Sequence, residues 1–216
     1  MISKISPLTI LTVVLILSGS TIIKIYLNAQ GELNQAQQRV AENELEEAVT
    51  HYERSLQWFV PALDLQEKAA QGLWDIGETY ETKGEEKKAL NTFRRLRGAF
   101  YSVRSFYTPG VKWITRCNEK IATLMARMPA TTEKEKEKTF EQRKTEYRAL
   151  LASQQPPYSK WALVSEIGFF GWVTCTLFFI FRAMTQSGDL RPRPALFWMT
   201  GFVVFYSLWI LGLFWV

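Results

Sequence analysis

Three long apolar stretches constrain this chain more than anything else in it. Leu8 to Leu27, Trp161 to Met184 and Ala195 to Val216 each approach the length that a helix needs to cross a bilayer core, roughly 20 residues. About 130 of the 216 residues lie between the first stretch and the second, enough for one small helical domain with a modest core. The expected architecture is all-α: three transmembrane helices plus a small domain of helical hairpins. It divides into an N-terminal transmembrane signal anchor (1–28), a helical domain (29–128), a charged spacer helix (129–157) and a C-terminal two-helix transmembrane hairpin (158–216).

The first stretch follows Lys4 and the free amine. A basic start before an apolar run also describes a cleavable secretory signal, with Ser18-Gly19-Ser20 or Leu27-Asn28-Ala29 as its small-residue site. Apolar residues continue past Ser20, which favours an uncleaved anchor. Lys24 lies near the far end, where its stem reaches the interface. One span, a long domain and then two spans put the N-terminus and the loop between the last two spans on one side. Arg182, Arg191, Arg193 and Lys4 lie there against Asp189. Basic residues in short loops mark the cytoplasm, whereas long domains count little. The domain is therefore expected to be extracytoplasmic; in a bacterium that means inner membrane and periplasm.

Between the spans, Ala70 to Tyr101 is the most informative run. It reads as two helices with a turn at Lys83-Gly84. Leu73, Ile76, Gly77 and Tyr80 recur at three- and four-residue steps and share one face, as do Ala89, Phe93 and Leu96. Small Gly77 and Ala89 allow close approach, and Tyr80 and Phe93 fill the space beside them. The register of Ile76-Gly77, Tyr80, Gly84, Ala89 and Phe93 resembles the tetratricopeptide repeat (TPR) family, a 34-residue helix–turn–helix. Trp74 sits one place later than the family's tryptophan, and Tyr101 stands where a closing proline is usual. A partial copy lies upstream, where Ala48 and Tyr52 stand in for Ala89 and Phe93 after a first helix over Glu32 to Glu42. The offset between copies exceeds one repeat, with the excess around Pro61. A third helix, Gly110 to Met128, is positioned to close the stack. The resemblance implies a groove lined by the first helix of each repeat, here Gln71, Trp74, Glu78 and Glu81, suited to a peptide with basic residues. If Trp74 is instead a displaced core residue, it leaves that set.

Net charge is +5, but its distribution says more. Acids dominate from Glu32 to Glu86, while Lys87 to Asn118 contains none. Arg94, Arg97 and Arg104 form a basic patch beside Tyr101, Phe106 and Tyr107. In a membrane-tethered extracytoplasmic domain it fits lipid headgroups or an acidic partner, not nucleic acid. Thr131-Thr132 is the expected N-cap of the spacer helix Glu133 to Ala152. Gln154-Gln155-Pro156-Pro157 ends that helix, and Tyr158 and Trp161 suit the lipid boundary.

Little else carries chemistry. His51 is the lone histidine, expected at the surface; with it, Cys117 and Cys175 make neither a metal cluster nor a disulfide framework. The glycines are scattered and form no phosphate cradle. No catalytic, cofactor-binding or metal-binding residue is identified, and the chain reads as a non-enzyme without a cofactor. Glu166 is the ionisable group inside the second span, either near the interface or facing a partner's transmembrane helix. Ser18, Gly19, Ser20, Gly168 and Gly171 are small positions that let helices pack closely in lipid. The expected role is a membrane-anchored TPR-like scaffold or accessory subunit that binds protein partners, with membrane lipid as a further contact and homo-oligomers allowed. The alternative is a transport or channel subunit whose spans contribute to a pathway through Glu166 and Lys24.

Overall fold

The computed structural model describes residues 7–59, 64–105, 107–130, 132–153, 159–185 and 189–215. The expectations placed on Lys4, Pro61, Phe106, Thr131, the stretch 154–158 and Val216 lie outside those residues. The fold is all-α, and three of its helices are long and apolar enough to cross a membrane. Two compact units make up the chain, the helical stack with α1 and the C-terminal hairpin.

Helix α1 (Pro7–Ala41) does not stop where the apolar residues do. It runs unbroken for 35 residues, about 52 Å at 1.5 Å per residue. The change along it is one of side chain only. Val13 to Leu17 are exposed apolar groups, while Ala29, Leu33 and Ala36 recur at four and three residues and are buried against the stack. Asn43, at a positive φ of 61°, turns the chain; asparagine tolerates this left-handed conformation better than most residues. Helix α2 (Leu45–Gln57) then packs back on α1 through Ala48, Val49, Tyr52 and Leu56. Ser55 Oγ donates to the Ala29 carbonyl at 2.9 Å, and His51 Nδ1 lies 2.7 Å from Glu32 Oε2.

Helices α3 (Leu65–Thr82) and α4 (Glu86–Ser102) form a hairpin with its turn at Lys83-Gly84. Gly84 has a φ of +75°, and the Glu85 amide donates to the Tyr80 carbonyl at 2.9 Å, closing the turn. Tyr80 and Phe93 are buried, and a Cβ at Gly77 would lie 2.7 Å from the Phe93 ring. Trp74 packs on Phe93 with ring centroids 4.9 Å apart. Helix α5 (Val111–Arg127) follows a left-handed Gly110 and buries Trp113, Ile114, Cys117, Ile121 and Leu124.

The segment expected to be one spacer helix over Glu133 to Ala152 is two pieces: a single turn, α6 (Glu133–Lys136), capped by Thr132, and α7 (Phe140–Ser153). Helix α7 packs against α5 and is held mainly by polar groups. Arg143 donates to the carbonyls of Met125 (3.2 Å) and Met128 (2.7 Å), Lys144 and Arg148 reach Glu119, and Leu151 is buried. The helices alternate between two layers, with α1, α3 and α5 in one and α2, α4 and α7 in the other.

In the hairpin unit, α8 (Ser159–Phe178) ends in a π-helical turn, Phe179–Ala183, and α9 (Pro192–Trp215) returns beside it. The turn is tied by the Arg191 amide donating to the Ala183 carbonyl at 2.8 Å and by an antiparallel bridge between Met184 and Leu190. Small residues line the whole seam. Gly212 packs on the Ser165 backbone, Gly168 on the backbone of Trp209, Gly171 on the Phe205 ring, and Gly201 on Cys175 Sγ. Such close approach is how helices associate in lipid, where burial of apolar surface gives no drive.

Candidate functional site

The surface that the sequence marks out lies on α3, the central helix of the first layer. Gln71, Asp75 and Glu78 succeed one another at four and three residues and are exposed. The Gln71 amide donates to Asp75 Oδ1 at 2.6 Å, and both side chains are exposed. Glu78 is 3.6 Å from Lys120 of α5 and 47% exposed. Glu81, one turn on, is recessed and accepts from Lys120 at 2.7 Å and Arg127 at 3.0 Å. Burial pushes the Glu81 carboxyl up, but the two cations outweigh it and hold the group below the ordinary carboxylate range.

Trp74 does not share that face. It is 5% exposed and packed between Phe93 and Trp113, whose ring centroid is 5.9 Å away. The Arg116 guanidinium caps both indoles, 4.1 Å from the Trp74 centroid and 4.5 Å from that of Trp113. The Trp113 indole N–H donates to Glu67 at 2.8 Å. Trp74 is thus the displaced core residue, and the groove set reduces to Gln71 and Glu78 at the surface, with Asp75 added and Glu81 committed to α5.

The basic half of the domain meets its acidic half. Across the first layer, Glu67 faces Lys112 and Trp113, and Glu78 and Glu81 face Lys120 and Arg127. Across the second, Glu46 pairs with Lys88 at 3.0 Å and Glu53 with Arg95 at 2.7 Å. Lysine ammonium Lys88 is accordingly held above its ordinary range by Glu85 and Glu46. Sequence reasoning missed these pairs. The signal was present in an acidic helix followed, two helices on, by a basic one, the spacing at which alternate helices of a two-layer stack become neighbours.

Arg94, Arg97 and Arg104 of the basic patch each make contacts within the stack. Arg94 reaches Met125 Sδ at 3.5 Å. Arg97 donates to the Leu151 carbonyl of α7 at 3.2 Å and lies 4.8 Å from the Tyr101 ring centroid, with Arg104 over the same ring at 5.3 Å. His51, expected at the surface, is a half-buried tie between α2 and α1. Cys117 is fully buried, and burial pushes its thiol up to about 12, so it is no site for an intermolecular link. Among the described residues no group of three histidine, cysteine or acidic side chains is placed to hold a metal ion.

On the hairpin, Glu166 is half-buried at the edge of an open apolar hollow of about 490 Å³ with Leu163, Phe170, Thr174 and Phe205. Lys24 lies in α1, in the other unit. No protein-family model, curated protein or solved structure matches this chain.

Proposed function

We propose that this protein is a membrane-anchored, TPR-like scaffold or accessory subunit, holding a protein partner against an extracytoplasmic helical stack in a larger membrane complex. The observation that carries the reading is the α3 face. Three polar side chains at helical spacing are exposed on the middle helix of the first layer, Gln71 bonded to Asp75 and Glu78 beside Lys120. Such a row offers acceptors to the basic or amide side chains of an extended or helical peptide. Tethering supports it, because a stack continuous with a membrane helix meets its partner at raised local concentration, which compensates for a small contact area. The arginines of the short hairpin loop support the outward orientation of the stack.

Photo-crosslinking in native membranes tests this. A crosslinking amino acid at Asp75 is expected to give a discrete protein adduct, and one at exposed Asn91 in the second layer is not. Equal labelling from both positions, or adducts to lipid alone, sinks the reading. Orientation is read separately with Lys83→Cys, since Cys117 is buried: an impermeant thiol reagent should label it in intact spheroplasts. A transport or channel subunit is the second reading, favoured by the carboxylate of Glu166 at a hollow open to the bilayer. Under that reading Glu166→Gln abolishes the transport of the host complex while adducts at Asp75 are absent.

A further inference from the structure

The turn of the C-terminal hairpin carries three arginines, Arg182, Arg191 and Arg193, and among the described residues no carboxylate pairs with any of them. Three cations thus fall within one short turn. Arg182 lies in the π-helical turn that ends α8, and irregularities of this kind are frequent at functional sites. The Arg191 amide is bonded to the carbonyl of Ala183, the residue after Arg182, so the two arginines are brought to the same place by backbone geometry.

There they line an open hollow of about 490 Å³. Its wall is aromatic: Phe178 and Trp198 stack with ring centroids 4.8 Å apart and planes 12° from parallel, and Phe197 lies edge-on to Trp198. Phe197 and Trp198 also line a second hollow of about 600 Å³, which carries Arg193 and continues along α9 past Gly201 to Phe205. A cationic recess at the end of two spans therefore adjoins an apolar one that runs along the span. That sequence of chemistries, cation, aromatic boundary and hydrocarbon, matches one molecule of the bilayer read from headgroup to tail.

We propose that the hairpin turn is a binding site for an anionic phospholipid. Arg182 and Arg191 hold the phosphodiester, Arg193 supplies further positive potential at the mouth of the second recess, and an acyl chain lies along α9 against Phe197 and Trp198. Basic pockets between transmembrane helices near the surface are where anionic headgroups bind, and Arg offers a planar fork of donors to phosphate oxygens. An acidic protein segment would use the arginines but leave the adjoining apolar recess without an occupant, and a soluble phosphate would use the recess at the turn alone. The site requires only that the hairpin span the bilayer and does not depend on the α3 partner.

The test uses the full-length chain, purified in mild detergent and stripped of lipid, with native mass spectrometry as the readout. Phosphatidylglycerol and phosphatidylcholine with identical acyl chains are offered in equal amounts. The phosphatidylglycerol should be retained preferentially. Arg182→Gln/Arg191→Gln should weaken its binding about thirtyfold and Arg193→Gln about fivefold, with phosphatidylcholine binding unchanged. Raising the salt from low to molar concentration should release phosphatidylglycerol from the unaltered chain, a measurement that needs no variant to fold. Equal retention of the two lipids overturns the proposal, as does binding indifferent to salt or to the double substitution. Displacement of phosphatidylglycerol by millimolar inorganic phosphate also overturns it, because the ligand is then a soluble anion.

Discussion

The two units of this protein each bring helices together over glycine, and they use it differently. In the stack, glycine makes room for a ring: Gly77 admits Phe93, and Gly72 admits Tyr52. In the hairpin, Gly171 likewise admits the Phe205 ring, but glycine there also lets backbone meet backbone: Gly168 lies on the main chain of Trp209, and a Cβ at Gly212 would be 2.5 Å from the Ser165 nitrogen. The solvent explains the difference. In water, withdrawing a large aromatic surface is itself the drive, so space is spent on rings. In lipid a ring gains nothing by leaving hydrocarbon, and association rests on the closest packing of main chains. The charges divide likewise. The stack matches Glu46, Glu53, Glu67 and Glu81 with Lys88, Arg95, Lys112 and Lys120, whereas the hairpin turn leaves its arginines without carboxylate partners among the described residues.

Four substitutions sharpen or break this comparison, all in the full chain in detergent micelles, with urea unfolding the stack and added dodecyl sulfate opening the hairpin. Phe93→Ala has the largest expected effect, a loss of about 3–5 kcal/mol in the urea transition with the hairpin transition unmoved. If it shifts both, the units do not unfold separately. Gly168→Ala comes next. Its Cβ meets main chain that cannot swing aside, and the overpacking should cost about 1–3 kcal/mol in the dodecyl sulfate titration. An unchanged midpoint would show that the seam yields.

Glu81→Gln should cost the stack about 1 kcal/mol or less, since its partners Lys120 and Arg127 are partly exposed. It also has a signature in pH. Glu81 is held low by Lys120 and Arg127 against the opposing effect of burial, and Glu119 by Lys144 and Arg148. Groups depressed in the folded state stabilise it fully above the unfolded carboxylate range. That contribution is lost as pH falls below about 4.5 through the folded values. The urea midpoint should therefore hold from neutrality down to that range and then drop, with a shallower drop in Glu81→Gln. Smallest, and opposite in sign, is Gly98→Ala. This α4 glycine faces open space, so the substitution should stabilise the stack by about 0.5–1 kcal/mol by restricting the unfolded chain. A loss at Gly98 would mean that something in solution covers that face.

The α3–α4 hairpin was legible in the sequence because its determinants are local. Gly77, Tyr80, Gly84, Ala89 and Phe93 lie at fixed helical steps; four of them are buried in the hairpin and Gly84 makes its turn. The three apolar helices were legible by length and apolar composition together. What was not legible depends on which helices become neighbours. Nothing local to Arg116 shows that Trp74 and Trp113 will flank it, and that contact takes Trp74 out of the groove set. Helix α7 looked like a solvated spacer because its apolar stripe is thin. Its attachment runs through Arg143 to two main-chain carbonyls at the end of α5, acceptors that every helix C-terminus has and that no side-chain pattern displays. Likewise, Arg97 reads as a surface cation until the Leu151 carbonyl is placed over it.

Helix α1 carries a mechanical consequence. A rod of hydrogen-bonded turns that enters the stack without a joint resists twisting as well as bending. Ser55 and His51 of α2 grip it at Ala29 and Glu32, just past the apolar section. Any rotation or tilt that a bilayer imposes on the first apolar section is thereby delivered to the stack as torque, with no slack segment to absorb it. Two glycines inserted after Leu27 would put a swivel in that shaft, and the stack would then stand in its membrane without feeling it.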